Sequence, residues 1–150
     1  MKRYINIFVL PFIIIIFIGL FPGYINESKT AVVKSLMRER TSIMQEALYG
    51  NMSIEEAEER LYKIETHPLL ESDIISLRDM EDTGIDRIKD MRFISLKQTT
   101  SLYNYLSYQT EIMWLMVGLE GEYSQRINYN ISLKSFGKIY KLSDITPISE

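Results

Sequence analysis

The chain has 150 residues and a net charge of −3, with all 20 acidic residues and 15 of the 17 basic ones lying after residue 25. That balance lacks the basic footprint of a nucleic-acid binder and gives no polybasic patch for anionic lipid. No cysteine occurs, which removes disulfide, thiol and zinc-thiolate chemistry together.

Met1-Lys2-Arg3 is followed by an almost unbroken apolar run from Ile5 to Gly23, broken only by Asn6. A helix of this length covers about 30 Å, one hydrocarbon thickness. The run is too long for a typical secretory signal, and no Ala-x-Ala site follows it. It is apolar on every face, which a core helix of a soluble protein is not. Residues 1–25 therefore read as a short cytoplasmic N-terminus and an uncleaved transmembrane anchor. Lys2 and Arg3 precede the run and Glu27 is the first charge after it. Positive charge stays on the cytoplasmic side, so residues 26–150 are expected outside the cytoplasm as one domain. About 125 residues suffice for one hydrophobic core without disulfides.

Asn26 and Ser28 are placed to cap a helix beginning near Lys29. Its apolar stripe is Val32, Val33, Leu36, Met37, Ile43, Met44, Ala47 and Leu48, and Gly50-Asn51 stops it. Ser53-Ile54-Glu55-Glu56 is a capping box for a second helix reaching about Glu65, with Ile54, Ala57, Leu61 and Ile64 inward. His67-Pro68 breaks the pattern. Leu69, Leu70, Asp73, Ile74, Leu77 and Met80 suggest a short third helix, and Asp79 to Gly84 reads as a turn.

From about Asp86 the period changes to two. Arg87–Lys97 is expected as the first strand and Leu102–Val117 as the second. Gly118-Leu119-Glu120-Gly121 is a hairpin turn. Tyr123, Ile127, Tyr129, Ile131 and Leu133 then alternate with polar residues as a half-buried strand, in which only Gln125 interrupts the apolar face. Ser135-Phe136-Gly137 turns into a last strand, Lys138–Asp144. Helices followed by strands indicate an α+β domain, with two or three helices on a four-stranded antiparallel meander.

The chemistry-bearing residues are few. The single histidine, His67, sits at a helix end, and no Gly-x-Ser-x-Gly elbow or Gly-rich phosphate loop occurs. The acidic stretch from Asp79 to Asp90 can be laid on a twelve-residue calcium loop, but Asp86 falls where an apolar residue belongs. Asp90 also falls where the longer glutamate belongs, so a solvated turn is the expected reading. Catalytic residues, cofactors and metal ligands are therefore expected to be none. The other cluster is aromatic: Trp114, Tyr103, Tyr105, Tyr123 and Tyr129 all lie in the sheet region and are the candidate ligand or partner contacts. Trp114 shares its face with Ile112 and Met116, and with Leu102, Leu106 and Tyr108 if no bulge intervenes. It is expected to be buried against Val33, Leu36 and Met37 or against Ala57 and Leu61.

N-terminal helices wrapped by a curved antiparallel sheet resemble the NTF2-like and cystatin-like architecture found in small membrane-anchored domains outside bacterial cells. The resemblance covers residues 28–146 and rests on element order. It implies a cone-shaped pocket, used by some members for catalysis and by many only for binding, and it carries over no catalytic residue.

The leading functional expectation is a non-enzymatic, single-pass membrane protein. Its extracytoplasmic domain would bind a protein partner or assemble within the cell envelope. The alternative is a binding module for a small apolar ligand in a tyrosine-lined pocket, and an NTF2-like hydrolase or isomerase is a third reading. A cavity of several hundred Å³ with polar groups at its base favours the ligand. A filled core with an exposed apolar patch favours a protein partner.

Overall fold

The computed structural model describes residues 23–79 and 86–148, with side chains from Lys29 onward. The apolar run at the N-terminus therefore lies outside the described residues, as does most of the Asp79–Gly84 turn. Among the described residues no helix is long and apolar enough to cross a membrane.

Among the described residues three helices precede four strands: α1 (Gly23–Leu48), α2 (Ile54–Ile64), α3 (Leu69–Arg78), β1 (Arg87–Leu102), β2 (Tyr105–Gly118), β3 (Gly121–Phe136) and β4 (Ile139–Ile148). The strands form one antiparallel sheet in the order β1-β2-β3-β4. By its contacts the chain divides between Ala31 and Val32, and the packed domain is built from Val32 onward.

The helix boundaries show which local signals prevail. Helix α1 begins at Gly23, six residues before the expected start. Asn26 and Ser28 cost little inside a helix, and an uninterrupted helix has no orphan amide there for them to cap. At the other end Gly50 adopts φ +69° and stops the helix as expected. The Ser53 hydroxyl accepts the Glu56 N–H at 3.1 Å and starts α2. Ala57, Leu61 and Ile64 are buried, but Ile54 is 39% exposed because the first turn of α2 lies at the rim of the helical layer. Met52, just upstream, is buried in its place.

Strand β1 is five residues longer than expected, and β2 starts at Tyr105 rather than Leu102. Leu102 thus closes β1, pairs with Tyr105 across the turn and is 65% exposed. Three register shifts, near Lys89, Ile94 and Thr99, bend β1. Bulges raise twist and curvature, and here they curl the sheet around α1. The β2–β3 hairpin turns on Leu119-Glu120 between paired Gly118 and Gly121, as expected.

The core has two parts. Between α1 and the sheet, Val33 and Met37 pack with Leu106, Tyr108, Ile112, Trp114, Ile131, Leu133 and Leu142. Between the helices, Ile43 packs with Ala57, Leu61, Ile64, Leu70 and Leu77. A short parallel bridge between Glu65 and Leu142 and a hydrogen bond from Thr66 N–H to the Leu142 carbonyl (2.8 Å) fasten the α2–α3 joint to β4.

Candidate functional site

One end of the α1–sheet interface stays open. A cleft of about 330 Å³ lies between the last turns of α1 and the inner faces of β1, β2 and β3. Met44 and Leu48 of α1 form one wall, and Ile88, Trp114, Met116 and Ile127 form the other. The polar groups are Arg40, Thr41, Gln45, Asp86, Gln125 and Tyr129. The volume is at the small end of ligand pockets, and its mixture of apolar walls with a few polar groups is typical of them.

Each wall follows from the pattern of its element. On β2 every second residue from Leu106 to Trp114 is buried, so Trp114 points at α1. On α1 the stripe that buries Val33 and Met37 brings Arg40, Thr41 and Met44 round to the same side one to two turns later. The Gln45 side-chain oxygen accepts the Ile88 N–H at 2.8 Å and ties α1 to β1 at the cleft rim.

Trp114 is 9% exposed and meets Tyr129 edge to face, with ring centroids 6.3 Å apart and planes at 81°. Such contacts favour aromatic pairs beyond simple burial. The Trp114 indole N–H is buried and has no hydrogen-bond acceptor. It lies near enough to the Tyr129 hydroxyl to draw that phenol's pKa down, but outside hydrogen-bond geometry. Burial outweighs this pull, and that of Arg40, and holds the Tyr129 phenol above its ordinary value.

At the floor lies a buried charge cluster. Arg40 donates two hydrogen bonds to Asp73, from Nε at 2.6 Å and from a terminal nitrogen at 2.7 Å. Its Nε is also 3.2 Å from a Glu65 carboxyl oxygen. Glu65 is almost wholly buried, and neither of its oxygens makes a well-formed hydrogen bond. Burial first, and then the neighbouring Asp73 carboxylate, push Glu65 up to about 8 against the opposing pull of Arg40. Near neutral pH this favours the protonated form of Glu65, beside the hydrogen-bonded Arg40–Asp73 pair. That resolves the electrostatics: two buried carboxylates facing one guanidinium cannot both ionise cheaply. The Arg40 guanidinium is itself held above its ordinary value by Asp73 and Glu65, despite its burial.

The structure separates the five aromatic candidates. Trp114 and Tyr129 line the cleft together. Tyr123 is half-exposed and its hydroxyl donates a short hydrogen bond to Asp86, which stands at the cleft wall. Tyr103 is fully exposed in the β1–β2 turn, and Tyr105 donates to the Ser132 hydroxyl at 2.7 Å near the same end of the sheet. Asp90 is a β1 residue whose carboxylate takes the Arg92 guanidinium at 2.8 Å. Among the described residues no group of three or more acidic or histidine side chains could hold a metal ion. A wider concavity of about 650 Å³ between α2 and α3 is walled by Glu55, Glu58, Lys63, Arg78 and Lys141. Glu58 and Arg78 there already satisfy each other in a bidentate pair.

Arg40, Glu65 and Asp73 belong to no motif, and Asp73 was expected only as part of the third helix. A signal was present: each is a charged residue at i+3 or i+4 from a buried apolar one, Arg40 after Met37, Glu65 after Leu61 and Asp73 after Leu69.

The chain matches no protein-family model. No curated protein matches it. Among solved structures, the crystal structure of the intermembrane space region of the chloroplast protein ARC6 is similar over 79% of this chain and 95% of that one, with 8% identity and a TM-score of 0.52. At that identity the likeness is one of fold: helices on a four-stranded antiparallel sheet. The solution structure of a de novo β-sheet design aligns over 79% of this chain and 88% of its own, with 18% identity and a TM-score of 0.37.

Proposed function

We propose that the chain is a single-pass membrane protein with its N-terminus in the cytoplasm and residues 26–150 outside. On this reading it is a non-enzymatic binding module that takes a small, mostly apolar ligand in the α1–sheet cleft. The observation that carries the reading is the open cleft of about 330 Å³ with a buried, acceptor-less indole N–H in its wall and Arg40 at its floor. A ligand with one acceptor group and an apolar body would cover Met44, Leu48, Met116 and Ile127 and give the indole its missing partner. The NTF2-like and cystatin-like resemblance implies a pocket between helices and sheet, which supports the same reading. The compartment rests on the apolar run and Lys2-Arg3.

Trp114 is the only tryptophan, so the 26–150 fragment has a single indole N–H resonance. Titration with medium-chain fatty acids and alcohols should shift that resonance saturably. Ile127→Trp, which fills the cleft from β3 and adds a second, distinguishable resonance, should abolish the Trp114 shift. A resonance that stays put across the titration, or shifts equally in the filled variant, sinks the ligand reading and returns the protein-partner reading to first place.

A further inference from the structure

A second surface lies at the other end of the sheet. There the β1–β2 and β3–β4 turns sit side by side, joined by a hydrogen bond from Ser135 N–H to the Asn104 carbonyl at 2.8 Å. Their large apolar side chains face water: Leu102 at 65%, Phe136 at 54% and Ile139 at 61% exposure, with Tyr103 fully exposed between them. Leu102 pairs with Tyr105, Tyr105 with Lys134, and Phe136 with Ile139. By strand alternation Leu102, Tyr105, Phe136 and Ile139 project on the sheet face away from α1, while the Lys134 ammonium donates to the His67 carbonyl at 3.3 Å. The charge here departs from the acidic whole. No acidic residue occurs from Gln98 to Thr110 or from Ile127 to Ser143, whereas Lys134 and Lys138 flank the apolar cluster. Apolar and tyrosine side chains ringed by lysine are what membrane–water interfaces select.

The chain enters the domain at this end of the sheet. Lys34 and Arg38 of α1 lie over the Phe93 ring, each 5.7 Å from its centroid. Further on, Gln45 meets Ile88 and Tyr49 meets Arg87. Followed back from Tyr49 to Lys34, α1 therefore advances along β1 from Arg87 toward Leu102, so the domain is entered at Val32 from the side of the two turns. From Phe93 to Leu102, β1 spans about 30 Å at roughly 3.3 Å per residue. The two turns therefore stand well beyond the point where Lys34 crosses Phe93.

We propose that the double-turn end of the sheet, through Leu102, Tyr103, Phe136 and Ile139 with Lys134 and Lys138, docks on the bilayer in which the N-terminal segment is anchored. This rests on the anchor reading above. Two lysines contribute attraction to anionic headgroups that salt weakens, and the four apolar side chains contribute burial that salt does not.

The chain has no cysteine, so single substitutions give unique labelling sites. The full chain would be reconstituted in vesicles of phosphatidylcholine and phosphatidylglycerol. An environment-sensitive nitrobenzoxadiazole probe would be placed at Tyr103→Cys or Phe136→Cys, and at Glu120→Cys in the opposite hairpin as reference. Tip probes should show blue-shifted emission, several-fold weaker iodide quenching than the reference, and quenching by a spin label at a shallow acyl position. Lys134→Glu with Lys138→Glu should reduce the shift in anionic vesicles and leave it unchanged in pure phosphatidylcholine. Tip probes as accessible as the reference, on chain that survives a carbonate wash, overturn the docking and leave the anchor standing. Chain removed by the wash overturns the anchor and the docking with it. Tip probes protected in native membranes but exposed in these vesicles mean a protein covers the tip, and overturn lipid as its partner.

Discussion

Glu65 holds an unusual place: an acid with almost no exposure, at the joint between α2 and α3, beside a second buried acid and one guanidinium. Its folded pKa of about 8 stands above the ordinary 4.5. Between those values the folded chain keeps a proton that the unfolded chain has lost, so this group's contribution to stability is full below the ordinary value and falls as pH rises toward about 8. Glu58 and Asp90, held low by Arg78 and Arg92, titrate below that window. Glu65→Gln keeps the shape and removes the titration. Urea midpoints of the 26–150 fragment at the two ends of the window should fall with pH in the parent and stay nearly level in the variant. The difference should be on the order of a few kcal/mol at the alkaline end. An equal slope in both proteins would place the proton elsewhere. Composition cannot reveal this group: whether a glutamate after Leu61 caps a helix in water or sits under β4 depends on a pairing with Leu142, 77 residues later.

At the scale of elements, period carried most of the fold. The stripe on α1, the Ser53 cap, the alternation from Ile127 to Leu133 and the Gly118–Gly121 turn each follow from local chemistry and stand where expected. The β1–β2 boundary was misplaced because three bulges interrupt the alternation of β1, so no strand period runs through Ile94 and Thr99 to mark its continuation. The same bulges curl the sheet and leave the cleft open, so the cleft was as hidden as they were. Trp114 was found by parity, and it shares a core with Val33 and Met37 rather than with Ala57 and Leu61. Its burial joins β2 to α1. Trp114→Ala should cost about 3 kcal/mol, the low end for a large buried ring because one side of it borders the open cleft. A thermal melt of the fragment should then shift down by many degrees and lose sharpness. A melt within a degree or two of the parent would mean that the ring adds little to the packing.

For the whole molecule the two surfaces have a consistent order. The double-turn end projects on the side where the chain enters the domain at Val32. The cleft lies toward the last turns of α1 and the β2–β3 hairpin, at the far end. With the turns on lipid, the cleft faces the aqueous side, where a ligand or its donor can reach it. All of this depends on which side of the membrane residues 26–150 occupy. Glu120 is exposed in the β2–β3 hairpin. A Glu120→Cys variant of the full chain, treated on intact cells with a membrane-impermeant maleimide, should be labelled as completely as after lysis. Labelling that appears only after lysis would put the domain in the cytoplasm and contradict the anchored, outward-facing arrangement.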